Sequence, residues 1–392
     1  MRTVLGEIAK RLTPWNKSID VYGNDIDNAY PERMDRLINN SVTAKSAANI
    51  MVQYLIGKGY GTDNDNLIVN KQHTISLIDF ADDVAEDLVK QRGVFIHINY
   101  NALYEIVDVR VMPNEWCRKG KSDSNAYSGK IAVYEDWSKP KKSDIKLIDV
   151  FNPNPKVIQA QVEKAGGWEK YKGQIWFVNM DTKLHYPLSR VDSVAEDCDS
   201  EAQTAVFKNR MLRRGFFGNM LVVTKPLISK DIPRYLDANE RKINPEWIDA
   251  DDERKQFQNA IVSSLGAENG GGVLCVEMEF GGDKLEESIL FQKVESNIDD
   301  KIFAHTETSV RENILIAFNN LPAGLIKTSD SQMFGNSGES IREMKRTYWE
   351  NTSKERNKLT YVLNSLLSLS VNNKDLKVQP IKLIDDTNID NP

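Results

Sequence analysis

Residues 297 to 368 constrain the fold more than any other stretch, because they read as two long helices separated by a loop that neither can absorb. The first helix, 297–318 (NIDDKIFAHTETSVRENILIAF), opens with Asn297 as N-cap and has Asp299 and Asp300 in its first turn. Carboxylates at that end offset the positive pole of the helix dipole and accept from its free N–H groups. The middle of the helix, Ala304 to Asn313, is polar on nearly every face. Its apolar residues, Ile298, Ile302, Val310, Ile314, Leu315 and Phe318, fall mostly at the two ends. Such a helix is not expected in a core; it bridges compartments, lies between solvent and a neighbour, or packs on copies of itself. At roughly 1.5 Å per residue it spans about 33 Å.

The loop that follows, 319–337 (NNLPAGLIKTSDSQMFGNS), has Pro322 to end the helix and Gly324, Gly335 and Asn336 to loosen what comes next. Uncommitted loops of this length inside a compact chain are usually functional or disordered. A long helix then resumes over 338–368, with Ile341, Met344, Tyr348, Leu359, Val362, Leu363 and Leu366 near helical spacing.

Before this stretch the chain changes period. Residues 1–35 carry few apolar side chains and a turn-rich middle, and read as an arm or a surface-hugging segment. A helix is expected over 39–56, capped by Ser41 and stopped by Gly57 and Gly59. A second, over 75–91, is amphipathic through Leu77, Phe80, Val84 and Leu88. Alternating apolar runs at 94–99, 104–111, 130–135, 146–150 and 174–179 predict strands, and the turns between them suggest an antiparallel meander. Helices on such a sheet make an α+β domain ending near Val194. A third long helix, 195–217, leads to strand 219–224, an irregular stretch, a helix from 248 to about 265, the Gly270-Gly271-Gly272 turn, strand 273–280 and a further strand at 288–294. After Val371 the tail is polar apart from one short apolar alternation.

The net charge of −6 argues against a nucleic-acid clamp, since the whole chain repels a phosphate backbone at long range. Cys117, Cys198 and Cys275 lie far apart without CxxC spacing, which points to a reducing compartment and to neither a disulfide framework nor a zinc site. No apolar run approaches the ~18 residues of a membrane span, and residues 1–15 lack a signal-peptide core. A soluble chain made in cytoplasm is expected.

Catalytic chemistry finds little to hold. The histidines, His73, His97, His185 and His305, form no HExxH pairing, and His97 reads as a half-buried strand residue. His305 and Glu307 look like half of a zinc deaminase signature, but no PCxxC supplies the remaining ligands. The three glycines at 270–272 lack the lysine and hydroxyl of a phosphate-binding loop. Asp299-Asp300 and Asp251-Asp252-Glu253 are explained by helix capping. No catalytic residue, metal or cofactor is expected. Positive charge is more suggestive: Lys208, Arg210, Arg213 and Arg214 crowd one stretch, and Arg342, Lys345, Arg346, Lys354, Arg356 and Lys358 follow the last helix. They read as solvated faces with paired carboxylates, or as ion pairs between subunits or weak phosphate contacts.

The order of features resembles the HK97-like portal proteins of tailed phages. The segments that carry the likeness are YPLSRVDSVAE, AVFKNRMLRRGFFGNMLVV, GGVLCVEMEFGG and ESNIDDKIFAHTETSVRENILIAFNNLPAGLI. In the last of these, Ile314, Ala317, Phe318, Leu321, Pro322 and Ile326 match the family's ending. SGESIREMKRTYWENTSKERNKLTYVLNSLL resembles its last helix, and NNSVTAKSAANIMVQYL its N-terminal half. The likeness covers most of residues 30–368 and rests on patterned positions rather than on one sharp motif.

The resemblance implies a portal-type α+β fold: an α/β wing over 1–194, stem helices at 195–217 and 297–318, a small α/β clip at 218–296, a channel loop at 319–337, and a long wing or crown helix with a short tail over 338–392. It implies a ring, usually of twelve copies, at one capsid vertex of the virion. Such a ring is assembled in the host cytoplasm, conducts double-stranded DNA without sequence specificity, and retains and ejects it. Its partners would be the terminase large subunit, major capsid and scaffold proteins, and the head–tail connector, with no membrane. By position, Lys327, Thr328, Ser329, Asp330, Ser331, Gln332, Met333 and Phe334 would face DNA from the loop. Asp299, Asp300, Lys301, Glu307 and Arg311 would line the stem, and Asp249, Asp251, Asp252 and Glu253 would form the clip's partner surface. An acidic chain with one lysine in its loop would let DNA slide rather than grip it. About two dozen residues follow Ser368, so the helical crown of larger portals is expected to be short or missing. Two other readings are a different ring-forming connector or adaptor, though connectors are usually shorter and lack the C-terminal helix–loop–helix, and a metal-dependent enzyme, which needs a ligand cluster the sequence does not show.

Overall fold

The computed structural model describes residues 19–213, 220–224, 234–237, 242–244, 252, 255–256, 259, 273–277, 289–293, 300–326, 338–371 and 375–383. The chain divides into two compact units, 1–201 with 308–392, and 202–307.

The first unit is a mixed α+β body. Helices α1 (Tyr30–Asn40), α2 (Val42–Ile56) and α3 (Leu77–Lys90) precede a six-stranded sheet. Its strands are β1 (Gly93–Tyr100), β2 (Ile106–Met112), β3 (Cys117–Lys119), β4 (Lys130–Val133), β5 (Lys146–Val150) and β6 (Gln174–Asn179), in the order β2-β1-β6-β5-β4-β3. Local chemistry sets the helix starts. Ser41 caps α2 by accepting from the Ala44 N–H at 3.0 Å. Ser76 and Asp79 form a reciprocal capping box at α3, which satisfies two of the N–H groups a helix start leaves open. The apolar face of α3 buries Leu77, Phe80, Val84 and Leu88, as the spacing requires.

Two features depart from the sequence reading. The sheet is not a pure meander, because β5 and β6 run parallel, with Asp149 opposite Gln174 and Val150 opposite Ile175. A parallel neighbour needs a crossover. Helix α4 (Pro155–Ala165) supplies it, capped by Asn154, started by Pro155 and stopped by left-handed Gly166. The supposed arm is also partly built into the fold. Ile19 and Val21 are buried with Tyr127, Ala132 and Trp137, and α1 buries Tyr30, Met34 and Ile38. Those three recur every fourth residue and so share one helix face, which outweighs the polarity around them.

Helix α5 (Ala195–Arg213) passes from the first unit into the second, and α6 (Asp300–Ala317) returns. In the second unit, β7 (Met220–Thr224) pairs parallel with β8 (Val273–Glu277) and antiparallel with β9 (Ile289–Lys293). Most of the helix expected over 248–265 and the Gly270-Gly271-Gly272 turn lie outside the described residues.

The last long helix is broken in two, α7 (Gly338–Asn351) and α8 (Ser353–Leu367). Thr352 at the break is fully buried, and its hydroxyl donates to Tyr348 O at 3.0 Å. A threonine that hydrogen-bonds back one turn bends a helix, and the Arg356 Nη1 donation to its Oγ1 at 3.1 Å fixes that rotamer. The tail returns to the fold as well: Val378 is buried, Lys58 N–H donates to Ile381 O at 2.9 Å, and Ile381 N–H donates to Gly59 O at 2.8 Å.

Candidate functional site

The two polar helices expected to do the work begin and end on the core of the first unit. Helix α5 is anchored by Cys198, which is fully buried, and by Glu201. The Glu201 carboxylate accepts from the hydroxyls of Ser41 and Thr43 and from the Thr43 N–H, so it sits at the positive end of α2. Burial pushes the Cys198 thiol up to about 12, which makes it a packing group rather than a nucleophile.

Helix α6 enters the same core at its C-terminal end. Val310, Ile314, Leu315 and Phe318 join the main apolar cluster, so the expectation that this helix stays out of a core fails for its last two turns. Those positions repeat at 310, 314 and 318, one face of the helix. Arg311, Glu312 and Asn313 remain polar and exposed, with Ile316 as an exposed apolar side chain. Asn313 Nδ2 approaches the Asp197 carboxylate of α5 at 3.4 Å.

Within the second unit, Lys208 of α5 is paired with Glu307 of α6. Both side chains are about half exposed, so the pair contributes at most about 1 kcal/mol. It is a paired carboxylate of the bland kind the sequence allowed for Lys208. Val206 is exposed nearby along α5.

The expected site residues are placed unevenly. Glu307 and Arg311 lie on α6, and Arg311 is exposed. Asp300 and Lys301 are in the first turn of α6, where the backbone alone is described, and Asp299 precedes the described residues. Asp252 is exposed and pairs loosely with Lys255 at 3.8 Å, whereas Asp249, Asp251 and Glu253 lie outside the described residues. So do Lys327, Thr328, Ser329, Asp330, Ser331, Gln332, Met333 and Phe334. The chain leading to that loop is described through a short helix, Ala323–Ile326.

A buried polar cluster at the end of α6 escaped sequence reasoning. Arg190, five residues before α5, donates from Nη1 to Asn319 Oδ1 at 2.7 Å and from Nη2 to Glu355 Oε1 at 2.6 Å. Asn319 Nδ2 donates to Glu355 Oε2 at 3.2 Å and to Asn351 O at 3.0 Å. The Arg190 and Glu355 side chains are only 6% and 7% exposed, so breaking the pair by removing one partner costs about 3–5 kcal/mol. Beside it Arg356, one of the cations read as a solvated face, is instead buried. Its guanidinium lies 3.7 Å from the Trp349 ring centroid and donates to Trp349 O at 2.9 Å. Burial lowers that guanidinium to about 10 despite the nearby Glu355 charge.

Titratable groups elsewhere serve the fold. His97 is half-buried in β1, with Nε2 2.6 Å from Lys172 O, and burial holds it below its usual range. Arg118 is fully buried; its guanidinium donates to Asn28 Oδ1 at 2.6 Å and to the carbonyls of Asn28, Asn114, Glu115 and Cys117. Among the described residues no three metal-ligating side chains converge, and no helix is long and apolar enough to cross a membrane.

No family model matches the chain, and no curated protein sequence matches it. Solved structures do. A chain in the neck of the native gene transfer agent particle, computed with C12 symmetry, superposes with a TM-score of 0.52 at 11% identity, over 95% of this chain and 88% of that one. The chain shares the fold of that neck component. A chain in the virion of the same native particle gives 0.51 at 11% identity, over 87% of this chain and 80% of that one. An HK97 family phage portal protein from Corynebacterium diphtheriae gives 0.40 at 10% identity, over 88% of this chain and 95% of that one. The chain is thus similar in fold to chains of the gene transfer agent particle.

Proposed function

We propose that this chain is a portal protein, a ring-forming conduit for double-stranded DNA at one vertex of a virion. The observation that carries the reading is the fold shared with the gene transfer agent neck chain over nearly the whole length of both. The polar faces of α5 and α6 support it, because a helix exposed on one side and anchored in a core on the other suits a ring wall beside a wet channel. In this reading 1–194 is the wing, 218–296 the clip that docks a terminase and later a connector, and 319–337 the channel loop.

The lining would come from Asp299, Asp300, Lys301, Glu307 and Arg311, with Lys327, Thr328, Ser329, Asp330, Ser331, Gln332, Met333 and Phe334 closest to DNA. Asp249, Asp251, Asp252 and Glu253 would meet the clip's partner. With a net charge of −6, the ring releases few counterions on contact with DNA and leaves it free to slide. The chain performs no catalysis; packaging force would come from a separate ATPase. The ring number we carry over is twelve, the symmetry of the related neck.

Sedimentation velocity of the purified chain, alone and with its scaffold protein, tests this. A discrete species near twelve chains supports the reading. A monomer under both conditions counts against it.

A further inference from the structure

We infer that Asn319 is a positioning residue that sets how the chain leaves α6. Two consecutive residues there, Asn319 and Asn320, have φ of 58° and 55°. That left-handed pair reverses the chain, and the turn closes with Asn320 N–H donating to Ile316 O at 3.1 Å and Leu321 N–H to Leu315 O at 3.0 Å. Glycine adopts this conformation more readily than any other residue, and asparagine tolerates it. Conformation alone therefore does not call for an amide side chain at 319.

What the amide adds is a set of bonds that leaves none of its polar atoms idle. Oδ1 accepts from Arg190, while Nδ2 donates to Asn351 O and Glu355 Oε2. The Asn319 carbonyl accepts from Asn351 Nδ2 at 3.3 Å, and Tyr348 Oη donates to Phe318 O at 3.1 Å. One side chain thus registers three segments of the first unit: the stretch leading into α5, the end of α6, and the α7–α8 junction. The Arg190 and Glu355 side chains are nearly buried, so the bonds Asn319 makes to them are costly to lose, whereas those to Asn351 are exposed. The bearing on DNA conveyance rests on the portal reading; the positioning role does not.

Hydrogen exchange on the full-length chain tests it, comparing peptides over 315–326 and 345–357 with a control over 93–112. N319G keeps the turn and removes the bonds, and is expected to speed exchange at 315–326 by about tenfold with the control unchanged. N319D keeps the Arg190 contact but sets a carboxylate against Glu355, and is expected to do more damage than N319G. Adding E355Q to N319D should recover a large part of that loss, because the amide at 355 then donates to the carboxylate at 319.

Recovery of this kind depends on the Asn319–Glu355 bond itself and would not follow from a generic packing role. Unchanged exchange in N319G, or a double variant no better than N319D, overturns the inference. A wild-type chain that forms no ring even with scaffold protein, while N319G still loses protection, overturns the portal reading and leaves this one standing.

Discussion

Thr43 donates its hydroxyl to Glu201 at 2.7 Å, and its N–H donates to the other carboxylate oxygen of the same side chain at 3.2 Å. With Ser41 also donating to that carboxylate, one residue of the long polar helix α5 caps the N-terminus of α2. Glu201→Ala strips partners from two buried hydroxyls and removes a charge favoured by the helix dipole. It is expected to cost about 2 kcal/mol, read as a lowered thermal midpoint, with Glu201→Gln intermediate.

Asp87 on α3 should make stability fall as pH rises. Burial is the main cause of a pKa well above the usual carboxylate range, Glu115, Glu86 and Asp83 push the same way, and Lys90 opposes them. Its Oδ2 is buried without a hydrogen-bond partner among the described residues. A group raised in the folded state stabilises fully below its unfolded pKa and loses that contribution as pH climbs toward the folded value. The loss runs at up to about 1.4 kcal/mol per pH unit. Asp87→Asn is expected to flatten the profile above the ordinary carboxylate range and to stabilise the chain at neutral pH. Denaturant midpoints measured across pH check both.

Gly57 sits where a side chain cannot. Its φ and ψ of 68° and −135° lie in a region that suits glycine, and a Cβ would come within 2.1 Å of Ile381 O. Gly57→Ala is expected to release the 375–383 segment, at a cost of about 1–3 kcal/mol in local strain. Trypsin cleavage after Lys377 and Lys382, followed by mass spectrometry, should then be faster than in wild type while the sheet remains resistant.

On the portal reading, the Lys208–Glu307 pair separates stability from conduction. Lys208→Ala should change stability by less than about 1 kcal/mol, since both partners are half exposed. Glu307→Lys should leave folding near wild type but strengthen DNA retention in assembled particles. That retention should weaken with salt, because each added phosphate contact steepens the salt dependence. The fraction of DNA retained by filled particles at two salt concentrations reads the effect.

Much of the first unit was legible because its signals are local. Leu77, Phe80, Val84 and Leu88 share one helix face, and the strand at 174–179 is a compact apolar run. Helix α1 was hidden by the polar residues around Tyr30, Met34 and Ile38. Helix α4 was hidden by a similarly sparse face, although Asn154-Pro155 and Gly166 marked both its ends, and with it went the parallel pairing of β5 and β6. Arg118 and Arg356 defy composition-based reading, because a cation is expected outside and each is buried where backbone carbonyls accept from it. The Arg190–Asn319–Glu355 cluster was invisible for another reason: its members stand 129 and 36 residues apart along the chain, and nothing local links them.

Electron microscopy of the purified full-length chain, with class averages down the particle axis, tests the central claim most directly. The account predicts rings with a central hole and about twelve-fold symmetry, the number proposed above. Compact single copies without a hole, persisting in the presence of scaffold protein, would contradict it.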